Sequence, residues 1–125
     1  MLTIKFYDVE HGCCTHIITP NGKHILVDVG SKTDKSIVNH IRNTYFRQQS
    51  NPRIDELIIT HPHEDHIYDL PELTKVLSPK VLRRTRAAFD ITPKQNTPIH
   101  INIANAASEM NRTYNQPVPE YEKCI

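Results

Sequence analysis

The segment 60–67 holds the side chains of this chain that are best suited to chemistry. It reads Thr-His-Pro-His-Glu-Asp-His-Ile and places the imidazoles of His61, His63 and His66 and the carboxylate of Asp65 within six residues. These groups are typical zinc ligands. Alternate side chains of a loop that leaves a strand can point inward, so the first two histidines can hold one ion while the carboxylate and the last histidine face a second. The spacing predicts a two-metal site rather than a solvated polar loop.

The elements before this segment must bring it to the edge of a sheet. Residues 56–60 form an apolar run that predicts a strand able to bury both faces and ending directly at His61. Residues 2–8 alternate apolar and polar side chains, which predicts a first strand with one buried face. Residues 14–19 and 24–29 flank an Asn-Gly pair and predict a hairpin.

Helices are predicted on both sides of the segment. The first spans about 34–47, and the hydroxyls of Ser31 and Thr33 are available to cap it. After the segment, residues 71–77 predict a short helix that opens with proline, and residues 80–85 predict a strand. The apolar residues in 87–98 have no clear helical or strand spacing. From Ile103 onward their spacing predicts a last helix. The order β-β-β-α-β-α-β, followed by this helix, indicates the α/β class.

Composition narrows the classes of function. The 125 residues fit one domain with one hydrophobic core. Fifteen basic and 14 acidic residues give a net charge of +1, too balanced for general nucleic-acid or anionic-membrane binding. The chain lacks an apolar stretch that could cross a bilayer and a secretory signal, so we expect a cytoplasmic protein without membrane contact. Its odd number of cysteines, three, predicts free thiols.

These motifs resemble those of the metallo-β-lactamase superfamily. Segment 60–67 is similar to the histidine motif of the family, and the resemblance covers residues from about 2 to 82. Residues 6–14, FYDVEHGCC, and 25–30, ILVDVG, are similar to the first motifs of its competence-protein ComEC-like branch. The resemblance implies an αββα sandwich, a dinuclear zinc centre at one edge of its sheets, and hydrolysis by a metal-bound hydroxide.

The same resemblance implies a role for each site residue. His61 and His63 would bind the first zinc ion. Asp65 and His66 would bind the second, and Asp65 would also act in catalysis by orienting the attacking water and moving protons. Asp28 would steady the metal loop with its carboxylate, or would serve only as the turn residue that ends its strand. The substrate would be a phosphodiester, such as a nucleic acid or a nucleotide, or a small molecule with a lactam, lactone or thioester bond.

The resemblance covers less than the complete family fold. Family members are longer, and their second half supplies a further metal histidine, a bridging aspartate and a final histidine for which this chain has no matching motif. We therefore expect 1–125 to be a single domain, incomplete at its C-terminus, with the N-terminal half to two-thirds of the sandwich. A second half, a partner chain or a homodimer would cover the open sheet face. The rival function is a non-catalytic metal-binding or protein-interaction module.

Two other features have both a functional and a plainer interpretation. Lys80, Arg83, Arg84 and Arg86 form a basic strand, which suits a phosphodiester backbone or simply a solvated sheet face. His100 is interpreted as an ordinary surface or strand histidine, with a metal ligand as the alternative.

The cysteines near the first strand are interpreted as packed free thiols. A metal site formed by His11, Cys13 and Cys14 is the alternative, but adjacent cysteines fit one zinc ion poorly. Cys124 lies near the end of the sequence and is given no role.

Overall fold

The part of the chain that the structure describes contains five strands and four helices. A computed structural model describes residues 1–8, 12–30, 35–61, 64–84 and 96–114, with only the backbone at 64 and 65. In chain order the elements are β1 Thr3–Phe6, β2 Thr15–Ile18, β3 His24–Val27, α1 Ile37–Tyr45, β4 Ile54–Ile59, α2 Glu64–Ile67, α3 Leu70–Val76, β5 Pro79–Arg84 and α4 Pro98–Thr113. This confirms the α/β class and the predicted order of elements, and adds α2.

The five strands form one mixed sheet in the order β1-β2-β3-β4-β5. The first three strands pair antiparallel, whereas β3, β4 and β5 pair parallel. The predicted hairpin joins β2 to β3, and Gly22 in its turn has a φ of +81°, a conformation that costs glycine little. Because β3 and β4 are parallel, they end at the same edge of the sheet. The residues that follow them, Asp28 and Thr60, are thereby brought together.

One face of the sheet carries the hydrophobic core. Leu26, Leu57 and Leu82 are cross-strand neighbours on β3, β4 and β5, and each is at most 7% exposed. Apolar side chains of three helices complete this core: Ile37, Val38, Ile41, Leu70, Leu73, Ile103, Ala106, Ala107 and Met110. Burial of each large aliphatic side chain contributes about 2 kcal/mol. The core thus fixes the strands whose ends carry the candidate site.

None of the described elements covers the opposite face of the sheet, called here the open face, and the prediction that β1 buries one face is wrong. Ile4 pairs with Ile17 and Ile17 with Ile25, and this row continues across β4 to Val81. Ile4 is 49% exposed, Val81 46% and Phe6 81%. The alternation in β1 is real, but its apolar side lies on the face away from the helices. The described residues thus supply one sheet and one helical layer of the predicted sandwich.

Over residues 56–59 the strand that leads to the histidine segment is also buried on one face instead of two, although Ile54 at its start is buried as well. Leu57 and Ile59 of β4 are buried in the core. Glu56 and Ile58 lie on the open face and are partly exposed. The physical reason is the same as for β1, since the helices of the described residues pack on one side of the sheet.

Two helices begin elsewhere than predicted. α1 begins at Ile37, and its cap is Ser36, whose hydroxyl accepts a hydrogen bond from the Asn39 N–H at 3.1 Å. Ser31 and Thr33 lie outside the described residues. α4 begins at Pro98, inside the stretch for which no helix was predicted, because Thr97 caps it and proline needs no N–H in the first turn. Among the described helices, none is long and apolar enough to span a membrane.

Candidate metal centre

Asp28 lies buried at the sheet edge where the histidine segment begins. It follows β3, is 3% exposed and has a φ of +61°, in the left-handed region. Aspartate tolerates this region better than most residues. Its backbone N–H donates to the Ile58 carbonyl at 2.8 Å, so the turn begins where the β3–β4 ladder ends. The carboxylate is thereby placed beside Thr60.

Thr60 and His66 give the Asp28 carboxylate three hydrogen bonds. The Thr60 N–H donates to Oδ1 at 2.8 Å, and the Thr60 hydroxyl donates to Oδ2 at 2.6 Å. The His66 Nδ1–H donates to Oδ2 at 2.8 Å. These bonds offset the loss of water around a buried carboxylate. Asp28 is therefore both a turn residue and the partner of an imidazole in the segment.

Backbone hydrogen bonds hold the helical end of the segment against the turn after β3. The Val29 N–H donates to the His66 carbonyl at 2.8 Å, and the Asp69 N–H donates to the Val29 carbonyl at 2.9 Å. Helix α2 has only four residues, too few to be stable by itself. Its position therefore depends on these contacts, which sequence periodicity does not reveal.

His61 lies on the exposed side of the site. Its Nδ1–H donates to the Thr60 hydroxyl oxygen at 3.1 Å, and its ring centroid is 4.9 Å from that of His66. The structure thus brings two of the predicted ligands together. His63 and the side chain of Asp65 lie outside the described residues. Among the side chains that are described, no group of three His, Cys, Asp or Glu residues is arranged to hold a metal ion.

The two imidazoles of the segment that the structure describes are oriented as metal-ligating histidines commonly are. In each of these two rings Nδ1 already makes a hydrogen bond, to Thr60 in the case of His61 and to Asp28 in the case of His66. A histidine that ligates a metal through one ring nitrogen commonly donates from the other to a carboxylate or another oxygen. In this arrangement Nε2 of each ring is the nitrogen that would ligate.

Comparison with known proteins identifies the family. The sequence pattern of the metallo-beta-lactamase superfamily matches residues 10–100, which is more than half of the chain. The chain belongs to the metallo-beta-lactamase superfamily. It is also 33% identical over 69 residues to a UPF0173 metal-dependent hydrolase of Koribacter versatilis (strain Ellin345). That alignment covers 53% of this chain and 25% of the relative, so this chain spans about a quarter of the relative's length.

Asp69 is a partly buried carboxylate that supports the packing of α1, and the sequence analysis assigned it no role in the metal site. Its Oδ2 accepts hydrogen bonds from the Ser36 hydroxyl at 2.7 Å and the Val38 N–H at 2.8 Å. It thereby ties the first turn of α1 to the start of α3. Burial raises the pKa of this carboxyl, against the opposing effect of its two donors. In the sequence, its position three residues after His66 was the one feature that could have pointed to this carboxylate.

The cysteines and His100 do not join the site in the described part of this superfamily chain. Cys13 and Cys14 are free thiols, as predicted, although Cys13 is exposed. Burial raises the pKa of the Cys14 thiol to about 12, which keeps it protonated at neutral pH. His100 lies in the first turn of α4, not on a strand, and contacts Thr97. His11 and Cys124 lie outside the described residues.

The basic strand is engaged mainly by partners within the protein. Lys80 Nζ lies 3.4 Å from Asp55, and Arg83 forms an ion pair with Glu56. Arg84 donates to the Asn111 side chain at 2.9 Å and to the Tyr114 carbonyl at 2.7 Å. Arg86 lies outside the described residues. These contacts favour the solvated and structural interpretation of the strand over a phosphodiester site.

A second histidine cluster lies under α1 and was missed in the sequence. The Tyr7 hydroxyl is 3.2 Å from His16 Nδ1, and His16 Nε2 is 2.9 Å from His24 Nδ1. The His16 ring packs edge-on against Tyr45 at 4.9 Å. The β1–β2–β3 register and the packing of α1 on these strands bring the residues together, so their spacing in the sequence carries no signal.

Proposed function

We propose that this chain is the metal-binding part of a zinc-dependent hydrolase that cleaves an ester-type bond, with a phosphodiester as the leading substrate class. The observation that carries the proposal is the hydrogen bond between the buried Asp28 carboxylate and His66 Nδ1. It orients an imidazole at the edge where two parallel strands end. Open α/β sheets commonly place their ligands beyond the carboxyl ends of the strands.

The proposed centre contains two zinc ions. His61 and His63 would hold one ion, and Asp65 and His66 the other. Zinc supplies a hydroxide nucleophile at neutral pH because it lowers the pKa of bound water to about 7. This assignment rests on the sequence motif, on the family membership and on the two described imidazoles.

The residues of the chain have separate tasks in this proposal. Asp28 accepts the Nδ1–H of His66 and so fixes the tautomer in which Nε2 can ligate. Thr60 links Asp28 to His61 by hydrogen bonds, because its hydroxyl donates to Asp28 and accepts from His61. Asp65 would orient the attacking water and take up its proton.

The substrate class rests on similarity and on the chemistry of the family. The relative in Koribacter versatilis is described as a metal-dependent hydrolase. Residues 6–14 and 25–30 resemble the ComEC-like branch, and we propose that the chain belongs to this branch, which favours a phosphodiester over the other ester-type substrates. The basic strand adds little support, since Lys80 and Arg83 already have acidic partners.

The test is zinc-dependent hydrolysis by the purified protein. Bis(4-nitrophenyl) phosphate and 4-nitrophenyl acetate serve as a phosphodiester and a carboxylic ester. We expect zinc to support hydrolysis, with the His66→Ala variant losing most of it and the His40→Ala variant retaining it. His40 is an exposed histidine on α1 and matches the change chemically. Zinc-independent turnover, or equal loss in both variants, would contradict the proposal.

The second candidate is a protein-interaction module, which the open sheet face favours. Phe6, Ile4 and Val81 leave an exposed apolar surface that a partner could cover. Tight zinc binding without hydrolysis of either substrate would favour this candidate.

A further inference from the structure

A cavity lies at the edge of the sheet opposite the histidine segment. Its volume is about 340 Å³, and it lies where the last turns of α1 and α3 approach the start of β4. Its polar lining comes from Arg42 of α1, Asn51 and Arg53 before β4, Lys75 of α3, and Ser78 before β5. The six residues of β4 separate it from Thr60 by about 20 Å. The cavity is therefore separate from the candidate metal centre.

The charge of the cavity wall is entirely positive. Among the described residues that line it, three are basic and none is acidic. Arg42 and Arg53 donate only to backbone carbonyls, those of Phe46, Gln49 and Pro79. Elsewhere in the described chain, Lys80, Arg83 and Arg112 are paired with carboxylates. The cavity thus gathers three cations from three separate segments, and its described lining contains no carboxylate.

The arginines are held in place but keep donors for a ligand. Arg42 uses one N–H on each of two nitrogens, and Arg53 uses one N–H toward Pro79. A guanidinium carries five N–H donors in a planar fork, so both retain donors that suit phosphate oxygens. Asn51 and Ser78 add neutral donors to the same wall.

The two nearby helix C-termini do not cancel this charge. Arg42 lies in the last turn of α1 and Lys75 in the last turn of α3, where cations interact favourably with the helix dipole. Each helix end contributes only about half of a negative charge. Three full positive charges therefore leave a net excess of about two.

We propose that this cavity binds a small phosphorylated ligand, with its phosphate group held by Arg42, Arg53 and Lys75. A multiply charged phosphate matches the excess positive charge, and its oxygens match the arginine forks. The volume lies in the range of small-molecule sites and exceeds what phosphate alone needs, so it leaves room for an organic group.

The test uses inorganic pyrophosphate as the probe and metal-free protein, so that the probe cannot bind through zinc. Calorimetric titration measures affinity, and amide shifts in NMR spectra locate the bound probe. We expect saturable 1:1 binding, weakened by added salt, with the largest shifts at Asn51, Arg53, Val76 and Ser78. Because the protein is metal-free, failure of the hydrolase proposal would not affect this result.

Two cavity variants and one matched control decide the assignment. Lys75 is exposed, so Lys75→Gln should fold normally and weaken pyrophosphate binding about fivefold or more, as should Arg53→Gln. Arg112→Gln removes the same charge from the exposed end of α4 and should leave affinity unchanged within about twofold. Absence of saturable binding at millimolar pyrophosphate, equal weakening by Arg112→Gln, or shifts confined to the histidine segment would overturn the proposal.

Discussion

Asp28 Oδ2 lies 2.8 Å from His66 Nδ1, although 38 positions separate the two residues in the sequence. The contact joins the turn after β3 to α2 across the edge of the sheet. It is reinforced by the backbone hydrogen bond from Val29 to the His66 carbonyl. The orientation of the imidazole is therefore a property of the whole β3–β4 edge, not of the histidine segment alone.

Asp28→Asn should weaken zinc binding by about 10- to 100-fold, because His66 loses the carboxylate that orients it. Competition with a chromogenic zinc chelator measures the affinity. Asp69→Asn is the matched control, since it neutralises another buried carboxylate that contacts α1 instead of His66. The control should lower the unfolding temperature and leave zinc affinity unchanged. Unchanged zinc affinity in the folded Asp28→Asn variant would refute the role given to Asp28.

His63→Ala and His66→Ala should each lower zinc affinity by more than about tenfold, because each removes a proposed ligand. The same competition assay applies, with His40→Ala as the control. His40 is exposed on α1 and its ring contacts Tyr7, not the histidine segment. If either variant binds zinc as tightly as the parent chain, the histidine that it lacks is not a ligand.

Stability should fall in mild acid because of His16. This ring is fully buried, and burial, followed by repulsion from His24 and Lys5, lowers its pKa from 6.5 to about 4. The folded protein thus binds a proton on His16 less readily than the unfolded chain does. The contribution of the neutral His16 ring to the free energy of unfolding is fully present above pH 6.5 and is lost as the pH falls toward 4. It amounts to at most about 3 kcal/mol.

Urea unfolding of metal-free protein between pH 7.5 and 4.5 measures this loss. His16→Gln keeps hydrogen-bonding groups near Tyr7 and His24 but cannot titrate, so its stability should vary less with pH. His40→Gln, on the exposed side of α1, should retain the pH dependence of the parent. Identical pH profiles for parent and His16→Gln would exclude His16 as the cause.

The open sheet face should bind an apolar dye. Phe6→Ser removes the most exposed aromatic side chain of that face, so it should reduce the fluorescence of bound anilinonaphthalene sulfonate. Ile99→Ser is the control, because Ile99 is a 52% exposed apolar residue on α4. An equal decrease in both variants would show that the dye does not prefer the open face.

The sequence predicted the elements better than it predicted their surroundings. The Asn21-Gly22 pair predicted the hairpin correctly, because the turn depends on the backbone preferences of these two residues alone. The alternation around Ile4 predicted a strand correctly but could not say which face the helices cover. Ser36 was missed as a cap because two other hydroxyls precede it at plausible positions.

The same distinction holds for the candidate site. Consecutive ligands such as His61 and His66 are visible in the sequence because they share one segment. The resemblance suggested a role for Asp28, but the contacts that Asp28 makes with His66 and Asp69 makes with Ser36 span the fold and are seen only in the structure. The three cations of the cavity come from separate elements, so no local pattern connects them.

Metal content of the purified protein is the most direct test of the central claim that segment 60–67 binds zinc. Elemental mass spectrometry on protein prepared without chelator or metal-affinity tag gives the number of zinc ions per chain. We predict bound zinc, up to two ions per chain, and a lower ratio in the folded His66→Ala variant. A folded parent chain that retains no zinc after incubation with the metal would contradict the claim.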